Sequence, residues 1–184
     1  MPTLVVETGS GVTGANSYIS LADATSYLAV HSLAATWTGL ASDDLRNEAL
    51  IKATRYIEAR FGRRFLGHKA LPGNALSWPR LAIYDELARE QYAQGTIPDL
   101  LKNAQCEYAV RAATQSLMAD TSASADTLKE SKKLGPLEKS VEYAENTVAS
   151  GGLVRDSQFR RIPDGDLLME QLLRPAGDFV LQRA

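Results

Sequence analysis

The sequence predicts a mainly α protein: a small bundle of about four main helices, with a long ordered loop, a short β-hairpin insertion and extended termini. Three observations predict it. Four segments carry apolar residues at helical spacing, a stretch rich in glycine and proline separates two of them, and a later stretch alternates in part. With 184 residues, the chain is long enough to bury one core, and we expect a single domain.

Composition excludes several classes of protein. Hydrophobic residues make up 45% and charged residues 23% of the chain, which is typical of a folded protein and not of a disordered one. No apolar run is long enough for a membrane span, and we expect no secretory signal. The net charge of −2 argues against a surface that is basic throughout. Cys106 alone cannot form an internal disulfide.

Residues 1–16 are predicted to form an N-terminal arm, and residues 17–119 the helical bundle. The first helix should begin at Ser20, whose hydroxyl can cap it, with Asp23 in the first turn and His31 in the last. The second should begin after Ser42 and end near Gly62. Its apolar face comprises Leu50, Ala53, Ile57 and Phe61.

Residues 62–97 lack a clean period and contain several glycines and prolines, so we predict a long ordered loop with a short helix around 84–92. A loop of this length within a compact domain is usually functional or forms an interface.

The third predicted helix begins at Pro98 and should run for roughly 22 residues, or about 33 Å. It carries two apolar stripes, one comprising Leu101, Ala104, Tyr108 and Ala112, and the other Cys106, Val110, Ala113 and Leu117. Because two stripes require neighbours on two sides, we expect this helix to be the central one of the bundle.

Residues 120–150 are predicted to be an insertion, with a two-stranded ribbon over 129–143 that bends at Gly135-Pro136. Residues 151–184 should hold the last helix, which begins at Ile162-Pro163, and an apolar tail.

The string Gly9-Ser10-Gly11-Val12-Thr13-Gly14 fits the glycine pattern of dinucleotide-binding loops. That pattern needs a helix directly after it and an acidic residue about 20 positions further on, and this sequence has neither. A flexible glycine arm is the favoured interpretation, and a nucleotide site is the alternative.

A basic run is the first candidate for a binding site. It contains Arg60, Arg63, Arg64, His68 and Lys69 without an acidic residue, and Phe61 and Phe65 are interleaved. Such a run can bind a nucleic-acid strand by phosphate contact and base stacking, with Arg60, Arg63, Arg64 and Lys69 as the DNA-channel or phosphate contacts. The alternative is a solvated run whose charge complements the helix dipole.

The unit Trp78-Pro79-Arg80 has two interpretations. Trp78 anchors the long loop to the bundle in one interpretation, and in the other it forms an interface hot spot with Arg80, because tryptophan and arginine are enriched in such spots. Both hold if the loop packs on a neighbouring subunit.

The sequence offers little for catalysis. His31 and His68 lie in no nucleophile or metal motif, and the adjacent acidic pairs cannot face each other on a helix. Cys106 is predicted to be a small core residue. We therefore expect no enzyme activity, no catalytic residue, no metal site and no cofactor.

Several strings together resemble a family of small tailed-bacteriophage neck proteins, the head-to-tail adaptors, which are also described as DnaT-like single-stranded-DNA-binding proteins. The matching strings occur in the order of the family and cover most of the chain. They are Gly14 to Asp23, Trp37, Ala49 to Ile57, Ala75 to Arg80, Ile97-Pro98, Lys132 to Leu137, and Ile162-Pro163.

The resemblance implies a structural protein of the virion neck, assembled in the bacterial cytoplasm. Copies of the chain would form a ring, commonly of twelve, beneath the portal protein, with genomic DNA in the lumen and the next neck or tail-completion protein on the far side. No membrane is involved. The alternative is a single-stranded-DNA-binding protein that acts in phage replication. A nucleotide-dependent enzyme that uses the glycine string Gly9 to Gly14 is a third hypothesis. The candidate subunit or portal contacts are Trp78, Arg80, Arg174, Phe179, Val180 and Leu181.

Overall fold

A computed structural model describes residues 3–85, 90–118, 129–134, 137–142 and 159–174. The mainly helical fold is confirmed. The described helices are α1 (Leu21–Leu28), α2 (Ala34–Thr38), α3 (Asp43–Phe61), α4 (Asp99–Ala112) and α5 (Pro163–Glu170). The internal contacts divide the chain into two units. The first unit comprises Met1–Leu117 and Arg161–Ala184, and the second unit comprises Met118–Arg160. The single domain stays a prediction.

Serine caps begin two of the helices, as predicted. The Ser20 hydroxyl accepts a hydrogen bond from the Asp23 amide at 3.1 Å, and the Ser42 hydroxyl accepts one from the Leu45 amide at 3.4 Å. The extension of α1 to His31 is wrong, because α1 ends at Leu28 and His31 lies in the turn before α2. The five-residue helix α2 was not predicted, since it is too short to show a period.

Helix α4 is the central helix of the first unit, as predicted: it packs against α1, α3 and α5. The first predicted stripe is buried throughout, and Cys106 and Val110 of the second are buried on α4. Ala113 is half-buried, and Ala113 and Leu117 lie beyond the end of α4. The predicted length is wrong, because α4 has 14 residues and not roughly 22. Gly165 allows α5 to approach closely, since a Cβ atom there would lie 2.7 Å from the Tyr108 ring.

The long loop carries two short antiparallel ladders. Strand β1 (His68–Lys69) pairs with β2 (Arg80–Leu81), and β3 (Tyr84–Asp85) pairs with β4 (Glu90–Gln91). The helix predicted around 84–92 is therefore wrong. Backbone groups of this segment form hydrogen bonds between β3 and β4 instead of within a helix. A 3.0 Å hydrogen bond from the Tyr92 amide to the Ile83 carbonyl extends the pairing.

The second unit contains the predicted ribbon. Strand β5 (Lys129–Leu134) pairs antiparallel with β6 (Leu137–Glu142), with Leu134 opposite Leu137. In the same unit Met118 and Phe159 form an antiparallel bridge. The predicted bend at residues 135–136 and the tail residues Phe179, Val180 and Leu181 lie outside the described residues. Every helix within the described ranges is too short or too polar to cross a membrane.

Candidate nucleic-acid interface

Arg60 points into the protein and not towards a ligand. It lies on the last turn of α3, and its Nη1 and Nη2 atoms donate to the two Asp166 carboxylate oxygens at 2.7 and 3.0 Å. Its side chain is only 7% exposed, and its guanidinium carbon lies 4.6 Å from the centre of the Phe61 ring. The predicted phosphate contact at Arg60 is therefore corrected to a structural ion pair between α3 and α5.

Two tyrosines complete this buried network. The Tyr108 hydroxyl donates to the Asp166 carboxylate at 2.7 Å, and Arg60 also bonds the Tyr56 hydroxyl. Burial, and after it the hydrogen bond to Asp166, raise the pKa of Tyr108. The Tyr108 hydroxyl therefore remains a donor throughout the physiological range. We call Tyr56, Arg60, Tyr108 and Asp166 the inner network.

The aromatic rings of the basic run are also buried, which corrects the predicted base stacking. Phe61 and Phe65 are both core residues, and Phe65 packs edge-on against Trp78 with ring centres 5.8 Å apart. Trp78 is buried as well, as expected of a side chain that anchors the long loop, and its assignment as a subunit contact stays a prediction. Any binding at this end of α3 must rely on cations and not on rings.

Arg63 and Arg64 follow α3 and are exposed. The chain brings a third exposed arginine beside them, because the Arg174 amide donates to the Arg64 carbonyl at 2.8 Å. The same pairing continues through an antiparallel bridge between Phe65 and Leu173. Arg174 thus joins the basic run, although it is 110 residues away in sequence. Its separate assignment as a subunit contact stays a prediction.

Arg80 adds a fourth guanidinium. Arg80 and Arg174 both donate to the Gly67 carbonyl, at 2.8 and 3.3 Å, so their charged groups lie side by side. Burial, and after it the positive charge of Arg174, lower the pKa of Arg80. Gly67 has φ of +64°, and a Cβ atom there would lie 2.0 Å from the Leu81 carbonyl oxygen. The glycine therefore permits the close approach that places Arg80 here.

Lys69 lies directly opposite Arg80 in the ladder of β1 and β2, and its ammonium group donates to the Asn74 carbonyl at 2.7 Å. We call Arg63, Arg64, Lys69, Arg80 and Arg174 the basic patch. Across the described ranges, no carboxylate forms an ion pair with any of the five. As far as the described residues go, the patch thus keeps its charge unneutralised, which is the arrangement that attracts a polyanion.

The glycine string already holds an anion of its own. The Glu7 carboxylate is buried and accepts hydrogen bonds from the amides of Gly9, Gly11 and Val12 at 2.8 to 2.9 Å. This loop is therefore ordered around an internal carboxylate, and it is not the flexible arm that we favoured. Glu7 occupies the place that a phosphate would need, so the geometry gives the nucleotide interpretation no support.

His31, Glu107 and Asp164 form a cluster whose ligand atoms lie within 4.8 Å of one another. The His31 Nδ1 atom accepts a hydrogen bond from the Leu33 amide at 3.0 Å, so the ring proton belongs on Nε2. Nε2 lies 2.9 Å from a Glu107 carboxylate oxygen. This approach is not a hydrogen bond, because the same Glu107 oxygen is buried without a hydrogen-bond partner among the described residues. The cluster brings together side chains from the α1–α2 turn, α4 and α5.

A family model described as "Putative DnaT-like ssDNA binding protein" matches residues 2–184. No curated protein matches the chain, and no solved structure matches it. The DnaT-like part of the resemblance is thereby confirmed, and its head-to-tail adaptor part stays a prediction.

Proposed function

This chain belongs to the family of DnaT-like ssDNA-binding proteins, and on that premise we propose that it binds single-stranded DNA through the basic patch. The observation that carries the proposal is the meeting of Arg80 and Arg174 at the Gly67 carbonyl, beside the exposed Arg64. Gathering like charges without a described carboxylate partner opposes folding, and an anionic ligand removes that opposition.

The patch would contact the backbone of the strand and not its bases. Phe61, Phe65 and Trp78 are buried, so they cannot serve as stacking platforms. Arginine contacts to phosphate position a strand but carry no sequence information. We therefore expect binding with little sequence preference and with a strong dependence on salt.

The test is fluorescence anisotropy with a labelled oligothymidine across a salt series. The double variant Arg63→Ser/Arg174→Ser should bind at least tenfold more weakly than the wild type at low salt. The slope of log affinity against log salt should fall in magnitude by about 1.4, because each phosphate contact on a single strand contributes about 0.7.

A matched control removes the same net charge elsewhere. Lys52 and Lys102 are partly exposed cations that pair with Glu48 and Asp99. The variant Lys52→Ser/Lys102→Ser should retain most of the affinity and of the salt slope. Equal losses in the two double variants, or a wild type that does not bind the oligonucleotide at low salt, would overturn the proposal.

A second candidate function is the head-to-tail adaptor of a phage neck. The observation that favours it is the hairpin of β5 and β6 in the second unit, because a two-stranded hairpin is marginally stable by itself and gains from a partner. We propose that a neighbouring copy or the portal protein would supply that partner, in a ring of about twelve copies whose basic patch faces the DNA in the lumen.

Mass photometry of the chain with and without the portal protein separates the two functions. An adaptor should assemble into rings on the portal and bind a free oligonucleotide weakly at physiological salt. A replication protein should bind the oligonucleotide and should not bind the portal protein.

A further inference from the structure

A groove of about 700 Å³ lies on the first unit. Its walls are formed by residues of the N-terminal arm, by one side of α3 and by residues 75–76. A volume of this size is typical of sites that bind small ligands, so the groove can hold a molecule as large as a nucleotide. The apolar residues that line it are Ala15, Ile51, Ala59, Ala75 and Leu76.

The groove shares a wall with the basic patch. Residues 75–76 line the groove, and the carbonyl groups on either side of them bind cations of the patch. The Lys69 ammonium group donates to the Asn74 carbonyl at 2.7 Å. The Arg80 Nη1 atom donates to the Ser77 carbonyl at 3.3 Å. A strand whose phosphates contact Lys69 and Arg80 would therefore lie next to the groove.

Arg55 adds a cation to the groove itself. It is exposed, and no carboxylate among the described residues forms an ion pair with it. It stands six residues before Phe61, the last residue of α3, which corresponds to about 9 Å along the helix axis. Arg63 of the basic patch follows two residues after Phe61. Arg55 thus extends the positive charge of the patch along α3 to the groove.

Glu58 determines which part of a DNA strand the groove can accept. It also lines the groove, and its carboxylate accepts hydrogen bonds from the Tyr18 hydroxyl and from the Ser77 amide and hydroxyl. Its negative charge disfavours a phosphate inside the groove, and the positive charge of Arg55 offsets it there. The part of a ligand within the groove should therefore be neutral, with its phosphate on the exposed side beside Arg55.

Two further polar side chains of the walls, Thr54 and Asn16, already have partners. The Thr54 hydroxyl donates to the Leu50 carbonyl at 3.0 Å, and the Asn16 side chain bonds the backbone of the arm through both its oxygen and its nitrogen. The walls otherwise offer apolar surface, of which Ile51 is half-buried and Ala59 exposed. A neutral, planar group with apolar faces would gain by covering that surface.

We propose that the groove binds one nucleobase of the single strand whose phosphates contact the basic patch, with Arg55 at the phosphate of that nucleotide. This base site rests on the DNA binding proposed above, to which it adds a contact outside the patch. Burial of the base against Ile51 and Leu76 would supply the affinity that the buried aromatic rings cannot supply by stacking. Because Thr54 and Asn16 bond within the protein, the site should accept different bases.

A strand without bases separates this site from the phosphate contacts. Fluorescence anisotropy at low salt compares a labelled oligothymidine with an abasic strand of the same length and charge. The wild type should bind the oligothymidine about fivefold more tightly or better, because a bound base contributes at least that factor. The variant Ala59→Leu/Ala75→Leu narrows the groove from two walls, so its preference should fall below about twofold while its affinity for the abasic strand is retained.

The matched control is Ala22→Leu/Ala35→Leu. These two alanines are also exposed, on α1 and α2, and neither lines the groove. The control variant should keep the full preference for the oligothymidine. It shows whether two added leucines on the surface change binding by themselves.

The other outcomes would overturn the proposal in distinguishable ways. Equal binding of both strands by the wild type, or a full preference in the groove variant, would remove the base site and leave the phosphate contacts of the basic patch standing. Equal losses for both strands in the groove variant would also remove it, because the substitutions would then act on phosphate contacts. A wild type that binds neither strand would overturn the proposed DNA binding and the base site together.

A second measurement uses the wild type alone. An oligothymidine with one diazirine-modified base should form a photoadduct with the groove walls, which peptide mass spectrometry would locate at residues 15–16, 51–59 or 75–76. An adduct map that contains none of these residues would overturn the proposal.

Discussion

Arg60 and Arg63 are three residues apart in one basic run, yet the fold uses them in opposite ways. Arg60 faces α5 within the inner network, where Asp166 accepts from both of its terminal nitrogens. Arg63 lies beyond the end of α3 in the basic patch, where it is exposed and no described carboxylate pairs with it. The comparison teaches that a charge run is not one site: helix geometry divides it into a cation that holds the fold together and cations that remain available to a ligand.

The comparison predicts its largest effect at Asp166. The variant Asp166→Ala should lower the free energy of unfolding by about 3 kcal/mol or more, because it removes the carboxylate that accepts from both terminal nitrogens of the buried Arg60 guanidinium. The Tyr108 hydroxyl loses its acceptor in the same variant. Chemical denaturation monitored by circular dichroism measures the change.

Asp164 provides the matched control on the same helix. It pairs with Arg111 at 2.9 Å but is 57% exposed. Asp164→Ala should therefore cost no more than about 1 kcal/mol. If the two variants were equally stable, the distinction between an inner network and an exposed pair would fail.

The second prediction concerns a buried charge that has no ionic partner among the described residues. Glu7 is stabilised by three backbone amides and not by a cation. Glu7→Ala should lower the free energy of unfolding by about 2 kcal/mol, because three half-buried amides lose a charged acceptor. Thermal and chemical denaturation of the variant measure the loss.

Glu7→Gln refines this prediction. The amide oxygen of the glutamine can accept the hydrogen bonds from the Gly9 and Gly11 amides, but its amide nitrogen cannot accept the one from the Val12 amide. We expect roughly half of the destabilisation of Glu7→Ala. A Glu7→Ala variant as stable as the wild type would show that the loop does not depend on this carboxylate.

The sequence predicts well those features that depend on neighbouring residues. Ser20 and Ser42 were recognised as caps because a cap and its amide are three residues apart. The burial of Leu101, Tyr108 and Val110 on α4 follows from its helical period. The Glu7 loop was missed although its signal is equally local, since the acid stands two, four and five residues before the amides that it accepts from.

Which arginines of the basic run form a buried ion pair could not be predicted in this way. Arg60 and Asp166 are 106 residues apart, and Arg174 and Gly67 are 107 apart. Nothing in the spacing of the basic run indicates which arginine meets a carboxylate, because the partner arrives on α5 through tertiary packing. The sequence predicted the run as a whole, and only the fold separates Arg60 from Arg63 and Arg64.

The smallest effect on stability is expected in the basic patch. Arg174→Gln removes a 3.3 Å hydrogen bond to the Gly67 carbonyl, which favours folding, and a positive charge beside Arg80, which opposes it. These contributions have opposite signs, so the free energy of unfolding should change by no more than about 0.5 kcal/mol.

Added salt screens the repulsion between Arg80 and Arg174, and it should therefore stabilise the wild type more than the variant. Denaturation at 20 mM and 300 mM salt, roughly 20 Å and 6 Å of Debye length, measures both effects. A loss above about 1.5 kcal/mol would place Arg174 with the structural cations such as Arg60, and the basic patch would then lose its interpretation as charge held available for a ligand.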